Sequence, residues 1–311
     1  MVLNRHRMKP RPVRIASFFM LGLLGAGALP AAPLRVLYFT KSSAFEHSVI
    51  KRVDDQPSHS ERVLTELGAK HGIAFTFSKD GSLFTPEYLA SFDVLMFYTS
   101  GNLLSAGTDG HPAMTPAGKQ ALLDAVAAGK GFVGLHSCSD TFHTGEGPGG
   151  PPDRHHRFRN YGDAADPFIK MLGGEFIRHG PQQTAHARVT SPNFPGFESL
   201  GTELQWHEEW YSLKELAPDM HALLVLETSG MTGSDYQRPP FPIAWARRHG
   251  EGRVVYNALG HREDVWENPQ FQSMLLGTLF WAGRRVEADI PPNLAIVSPN
   301  YAELPPPPET K

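Results

Sequence analysis

Hydrophobic positions along the chain cluster into short, nearly continuous runs separated by amphipathic stretches. Leu34–Thr40 (LRVLYFT) is the first such run, and a strand covered on both faces by helices reads this way. From Asp54 to His71, Val63, Leu64 and Leu67 recur at helical spacing, and Gly72 supplies the stop. Ile73–Ser78 reads as a second strand, and Asp93–Thr99 (DVLMFYT) as a third. Thr115 followed by Pro116 opens a helix that runs to Ala128, because Thr caps and Pro suits the first turn. Gly131–His136 (GFVGLH) is a fourth buried strand. This alternation predicts an α/β fold, a parallel sheet with helices on both faces in three layers.

The segment 138–163 breaks the pattern. It is dense in Gly, Pro, His and Arg, has no period, and reads as a long excursion from the end of the fourth strand. Further strands are expected at Ala185–Thr190, His221–Thr228, Ile243–Arg247 and Arg253–Leu259, with a last helix near Phe271–Trp281. From Pro291 the chain is Pro-rich and is expected to run extended over the surface or to be disordered.

The amino terminus has its own logic. Arg5, Arg7, Lys9, Arg11 and Arg14 precede an apolar run, Ile15–Leu29, and then Pro30, Ala31 and Ala32. This is the layout of a secretory signal peptide, and the run is short and Gly-rich for a membrane span. The expected organisation is a signal peptide at 1–32, one α/β domain at 33–285 and a Pro-rich tail at 286–311. The mature protein is expected to be periplasmic or secreted, with no stable membrane span after cleavage. A formal net charge of -3 gives no electrostatic case for nucleic acid. One Cys among 311 residues rules out an internal disulfide and a thiolate zinc cluster.

Ligands of open parallel sheets bind beyond the carboxyl ends of the strands. Polar residues gather there. The first strand runs into Phe45, Glu46 and His47, the fourth ends on His136, and a late strand ends on Gly260 and His261. The segment Gln205–Tyr211 (QWHEEWY) mixes aromatic and acidic residues without a clean amphipathic period, a mixture that suits a carbohydrate or similar polar ligand. Gly134-Leu135-His136-Ser137-Cys138 has the strand–turn–helix context of a nucleophile elbow, with His rather than Ser or Cys at its apex. His155 and His156 are adjacent, and neighbours in sequence do not readily point at one ion.

In order along the chain, TKSSAFEHS (Thr40–Ser48), GFVGLH (Gly131–His136), MLGGEFIRH (Met171–His179), EEWY (Glu208–Tyr211), PIAW (Pro242–Trp245) and GRVVYNALGH (Gly252–His261) resemble the ThuA-like, trehalose-utilisation family. The resemblance implies a fold similar to class I glutamine amidotransferases, which is flavodoxin-like. It also implies a role in using trehalose or related disaccharides, through keto-sugar intermediates. It does not imply amidotransferase activity, because those enzymes place Cys where this chain has His136. Two departures stand out. The excursion from Thr144 to Arg159 replaces a compact aromatic segment, and Phe241 precedes Pro242 where His is common.

The expected function is an exported enzyme acting on a disaccharide or keto-sugar by proton transfer or glycoside cleavage. His47, His136, Glu208 and His261 are the expected catalytic groups, with Glu208 or His136 as base. Phe45, His179, Glu209, Trp210 and Tyr211 are the expected substrate-binding groups. No cofactor is expected, since a carbonyl acidifies its neighbouring C–H enough for Glu or His and no Gly-rich dinucleotide fingerprint is present. Two alternatives stand beside this. One is a metal-dependent hydrolase with a divalent ion at the His cluster. The other is a saccharide-binding protein without catalysis.

Overall fold

The computed structural model describes residues 1–2, 32–145 and 155–308. The expected signal peptide therefore lies almost wholly outside the described residues. Among those residues no helix is long and apolar enough to cross a membrane.

The unit Pro33–Lys311 is built on a nine-stranded sheet. Its strands are β1 (Leu34–Phe39), β2 (Ile73–Ser78), β3 (Val94–Phe97), β4 (Gly131–Leu135), β6 (Gln183–Val189), β7 (Glu203–Glu208), β9 (His221–Glu227), β10 (Phe241–His249) and β11 (Gly252–Asn257). The spatial order is β2-β1-β3-β4-β11-β10-β9-β6-β7. Two further strands, β5 (Glu175–His179) and β8 (Tyr211–Lys214), pair separately and antiparallel. The helices are α1 (His59–His71), α2 (Pro86–Ala90), α3 (Pro116–Ala127), α4 (Pro167–Leu172), α5 (Glu263–Glu267), α6 (Pro269–Ala282) and α7 (Leu294–Val297). One layer is the series α1, α5, α6, and the other is α2, α3, α4, each in contact with its neighbours.

Every strand expected from sequence is present, with ends shifted by a few residues. The all-parallel expectation needs correction. Pairings from β2 through β1, β3 and β4 to β11 are parallel, and those from β11 through β10, β9 and β6 to β7 are antiparallel. The reason is local. A parallel connection needs a crossover of a dozen or more residues, usually a helix, whereas only Gly250 and Glu251 separate β10 from β11. The parallel half runs β2-β1-β3-β4-β11, with a switch point between β1 and β3.

Helix α1 starts at His59 and not near Asp54. Pro57 disfavours helical geometry before it, and Ser58 caps the helix in a reciprocal box with Glu61. The tail is also more ordered than expected. Leu294 is buried, Asn293 Oδ1 accepts from the backbone N–H of Ala222 at 2.7 Å, and a ring nitrogen of His221 donates to the Pro291 carbonyl at 2.7 Å.

The turn after β4 is the tightest device near the sheet's carboxyl edge. A short 3-10 helix, His136–Asp140, follows β4 at once. A Cβ on Gly134 would stand 2.9 Å from Cys138 Sγ and 3.0 Å from Leu172 Cδ1. Gly134 thus lets the 3-10 helix fold back on its own strand. Gly134→Ala should lower the unfolding free energy by about 1–3 kcal/mol through overpacking. Urea denaturation checks this, and an unmoved midpoint would show that the turn has slack.

Candidate active site

Three chain segments deliver histidines to one point, and a fourth delivers a carboxylate. His47 stands in the loop after β1. That loop is tied down by Ser43 N–H to the Ser100 carbonyl at 2.8 Å, Ser100 Oγ to the Phe45 carbonyl at 2.7 Å and Lys79 Nζ to Glu46 at 2.9 Å. His136 occupies the apex of the elbow with φ +40, a left-handed conformation that a non-Gly residue holds only when its surroundings impose it. Tyr256 Oη donates to the His136 carbonyl at 2.7 Å and helps impose it. His261 follows β11 and Gly260, whose carbonyl accepts from Tyr98 Oη at 3.1 Å and Trp266 Nε1 at 2.9 Å. Glu209 lies between β7 and β8.

Nitrogens of His47, His136 and His261 and a carboxylate oxygen of Glu209 all lie within 4.8 Å of one another. Glu209 Oε2 is 3.3 Å from His136 Nε2, 3.1 Å from His261 Nδ1 and 4.0 Å from His47 Nε2. His261 Nδ1 is 3.3 Å from His136 Nε2. Glu209 Oε1 faces His179 Nδ1 at 3.3 Å.

The charge states follow from burial and partners. Burial, with the neighbouring imidazoles, drives His47 down to about 2, so it is neutral. Burial also lowers His136. For Glu209, burial opposes ionisation, but the imidazoles of His136 and His261 beside it outweigh burial and hold the carboxyl well below the usual range. His136 Nδ1 stands 2.7 Å from the Ala258 carbonyl. A carbonyl only accepts, so Nδ1 carries the proton and Nε2 presents a lone pair. That lone pair points at an ionised carboxylate oxygen. His261 Nδ1 stands 3.3 Å from that nitrogen and 3.1 Å from that oxygen, so either its proton or a bound cation can satisfy both.

The donor set fits a divalent metal ion. Neutral imidazoles and a carboxylate are the ligands of catalytic zinc and of related first-row ions. Tetrahedral ligands at about 2.0–2.1 Å stand about 3.3–3.4 Å from one another, and three of the donors are already 3.1 to 3.3 Å apart. The His136 Nδ1–H bond to a carbonyl is the outer-shell support such ligands normally have.

Beside this cluster opens a cavity of about 460 Å3. It is lined by Phe45, His47, His179, Glu209, Tyr211 and His261, together with Asp140, Arg157, Phe176 and Gln182. Tyr211 packs on Phe176 at 4.1 Å between ring centroids and stacks on His179 at 5.7 Å. Phe45 is exposed at the mouth and meets His47 edge-on at 5.0 Å.

Glu208 and Trp210 stand apart from the converging donors and the cavity wall. Glu208 is not among the converging donors. It shares the buried face of β7 with Leu204, and its Oε1 accepts from the His261 backbone N–H at 2.9 Å. Burial lifts it to about 8, so it keeps its proton at neutral pH and does not start as a base. Trp210 is no wall of the cavity. It is buried, and its indole N–H donates to the Gln183 carbonyl at 2.8 Å, toward β6. Glu209, expected to touch substrate, lines the cavity and also belongs to the cluster. His47, His136 and His261 converge as expected, and Phe45, His179 and Tyr211 face the cavity.

A family model described as trehalose utilisation, ThuA, matches residues 35–282. The chain belongs to the ThuA family. Carbohydrate metabolism is thereby its setting. Among solved structures, a ThuA-like protein from Bacteroides uniformis is similar, with a TM-score of 0.58, 18% identity, and 83% of this chain and 94% of that one covered. A ThuA-like protein from Parabacteroides merdae gives 0.53 and 14%, covering 84% and 94%. A cytoplasmic protein from Salmonella typhimurium gives 0.51 and 13%, covering 80% and 99%. At these identities the likeness concerns the fold. A search of curated protein sequences finds no match. In this ThuA-family chain the GFVGLH and GRVVYNALGH segments each end on a histidine of the cluster, and EEWY contributes its second carboxylate.

An ionic ladder borders the cavity and was not expected from sequence. His143 bridges Asp140 at 2.5 Å and Glu175 at 2.9 Å, and Lys214 reaches Glu175 at 3.2 Å. Burial opposes a charge on His143, but its two carboxylate partners win and raise it above its ordinary value. A raised group lends stability that is complete below its unfolded value near 6.5 and is lost as pH rises through the folded value. The stability advantage of the wild type over His143→Gln should therefore shrink between about pH 6 and pH 9. Urea midpoints at both pH values measure it, and a constant difference would mean that folding leaves the proton affinity of His143 unchanged.

Proposed function

We propose that this protein is an exported enzyme acting on a disaccharide or keto-sugar of the trehalose type, at a divalent-metal centre held by His47, His136, Glu209 and His261. The observation that carries the reading is the pairing of His136 Nε2, tautomer fixed by Ala258, with an ionised Glu209 oxygen at 3.3 Å. The family supplies the carbohydrate setting, and the amino-terminal segment supports export. A bound divalent ion would supply a Lewis acid toward a carbonyl or hydroxyl oxygen of the sugar.

The protein's own groups have distinct tasks. Glu208 holds the His261 backbone, and Ala258 holds the His136 ring. His179, half-exposed at the cavity and against Glu209 Oε1, is placed to pass a proton between substrate and solvent. Phe45, Phe176 and Tyr211 offer aromatic surface to the apolar face of a sugar ring, and the closed side of the cavity keeps water from the reacting atoms. Amidotransferase chemistry is no part of the proposal. The elbow carries His136, and Cys138 is buried, which raises its thiol well above the ordinary value.

A metal-free reading is favoured by one hydrogen-bond chain. Gln182 Oε1 accepts from Arg262, so Gln182 Nε2 donates to His261 Nε2 at 2.9 Å, and His261 Nδ1–H then faces Glu209. In that reading Glu209 and His261 form an acid–base pair that removes the proton next to a keto group.

Elemental analysis and turnover separate the two readings. The purified mature protein should carry about one equivalent of a first-row divalent metal. His136→Ala and Glu209→Gln should each fall below about a tenth of an equivalent. Glu208→Gln should retain the metal, since an amide oxygen still accepts from the His261 N–H. Turnover of a keto-disaccharide should vanish with a chelator and return with metal. Full turnover in a metal-free protein overturns the metal reading in favour of the acid–base pair. Saturable sugar binding without product from oxidised or unoxidised disaccharides would falsify both, leaving a binding protein.

A further inference from the structure

The two described ends of the segment 138–163 return to the cavity, one bringing Asp140 and the other Arg157. Neither residue belongs to the metal cluster. Asp140 Oδ1 is engaged by His143 Nε2 at 2.5 Å and Arg157 NH1 at 3.3 Å, while Oδ2 has no hydrogen-bond partner among the described residues. The ladder alternates in sign, running Arg157, Asp140, His143, Glu175, Lys214, and its last three members are buried. Lys214 Nζ also donates to the carbonyls of His156 at 3.4 Å and Arg159 at 3.1 Å, on either side of Arg157. The Arg157 guanidinium lies 5.7 Å over the Phe176 ring, which in turn packs on Tyr211. One ladder thus fixes both the carboxylate and the backbone that carries the guanidinium.

Burying ions costs several kcal/mol each, and apolar side chains of similar size stabilise a core as well or better. A buried His143–Glu175–Lys214 run held against a cavity-lining carboxylate is therefore better explained by what that carboxylate meets. We propose that Asp140 and Arg157 form the subsite that reads the hydroxyl pattern of the substrate. Asp140 Oδ2 accepts from a sugar hydroxyl, and Arg157 donates to a neighbouring hydroxyl or acetal oxygen. A carboxylate only accepts and a guanidinium only donates, so the pair recognises adjacent oxygens of opposite hydrogen-bond role. The chemistry selects a polyhydroxylated ligand and rejects one lacking the hydroxyl. This inference rests on the carbohydrate reading above and names the groups that would choose among sugars. Both are recognition residues, set apart from the groups that do the chemistry.

Calorimetric titration of the intact protein with trehalose, its keto derivative and a series of monodeoxytrehaloses tests it. Wild type should bind trehalose or its keto derivative, and one deoxy analogue should bind at least about tenfold more weakly, the usual worth of a hydrogen bond to a charged group. In Asp140→Asn the affinity for the parent sugar should fall about tenfold, and the discrimination against that analogue should disappear. Loss of discrimination is the decisive reading, because a merely loosened fold weakens all ligands alike. Arg157→Gln, at a partly exposed position, carries the same expectation of weakened binding should Asp140→Asn unfold. If wild type binds the sugars and both variants bind them equally well with discrimination intact, the subsite is overturned while the carbohydrate reading stands. If wild type binds none of these disaccharides, the carbohydrate reading itself falls and takes the subsite with it.

Discussion

One hydrogen bond settles the character of the site. Because His136 Nδ1 donates to the Ala258 carbonyl, the opposite nitrogen of the neutral ring offers a lone pair, and it does so toward Glu209. The backbone around it is arranged to keep this ring where it is. The left-handed φ at His136, the close packing permitted by Gly134 and the Tyr256 hydroxyl on the His136 carbonyl all act on the same turn. A relaxed turn would carry the imidazole away from both partners. The strain is small beside the number of contacts that hold it, which is how strained residues persist at reaction centres.

The remaining donors are secured in the same manner, by contacts that are themselves buried. Glu208 spends its carboxyl oxygen on the His261 backbone, and Lys79 ties Glu46 to the base of the loop that bears His47. Such support residues govern geometry without touching the reacting atoms. This explains why the two adjacent glutamates of EEWY, alike in sequence, end in unlike states. One is protonated and structural, while the other is ionised and central.

The sheet and the meeting of the histidines were legible in sequence, because continuous apolar runs mark buried strands and ligands gather at the carboxyl ends of such strands. His47, His136 and His261 each follow a run of this kind. Of the two adjacent glutamates named from sequence, it is Glu209 that joins the histidines. Strand β7 is an edge strand with alternating exposure, so its end is not marked by a hydrophobic run. The assignment of Glu208 or Glu209 to the cavity depends on where the pleat stops. The ladder of Asp140, His143, Arg157, Glu175 and Lys214 was invisible for another reason. Its members come from an aperiodic segment and from β5 and β8, short strands whose pairing is set by tertiary contacts. The antiparallel half could have been inferred from the spacing of the late strands, which leaves no room for a crossover helix between β10 and β11.

The last residues of the chain have a bearing on where the folding unit ends. The family match stops at residue 282, yet Pro291 and Asn293 hold β9, Arg188 donates to the Val297 carbonyl, and Arg238 reaches the Tyr301 carbonyl. These bonds clamp the antiparallel flank of the sheet, on which β6 and β7 depend for the approach to Glu209. A fragment trimmed to the homologous boundary would leave the hydrogen-bonding groups of β9 and two arginines facing solvent where they now meet carbonyls and an amide. The segment from Pro291 to Tyr301 is thus a brace, and the folded unit continues past residue 282, where the family match stops.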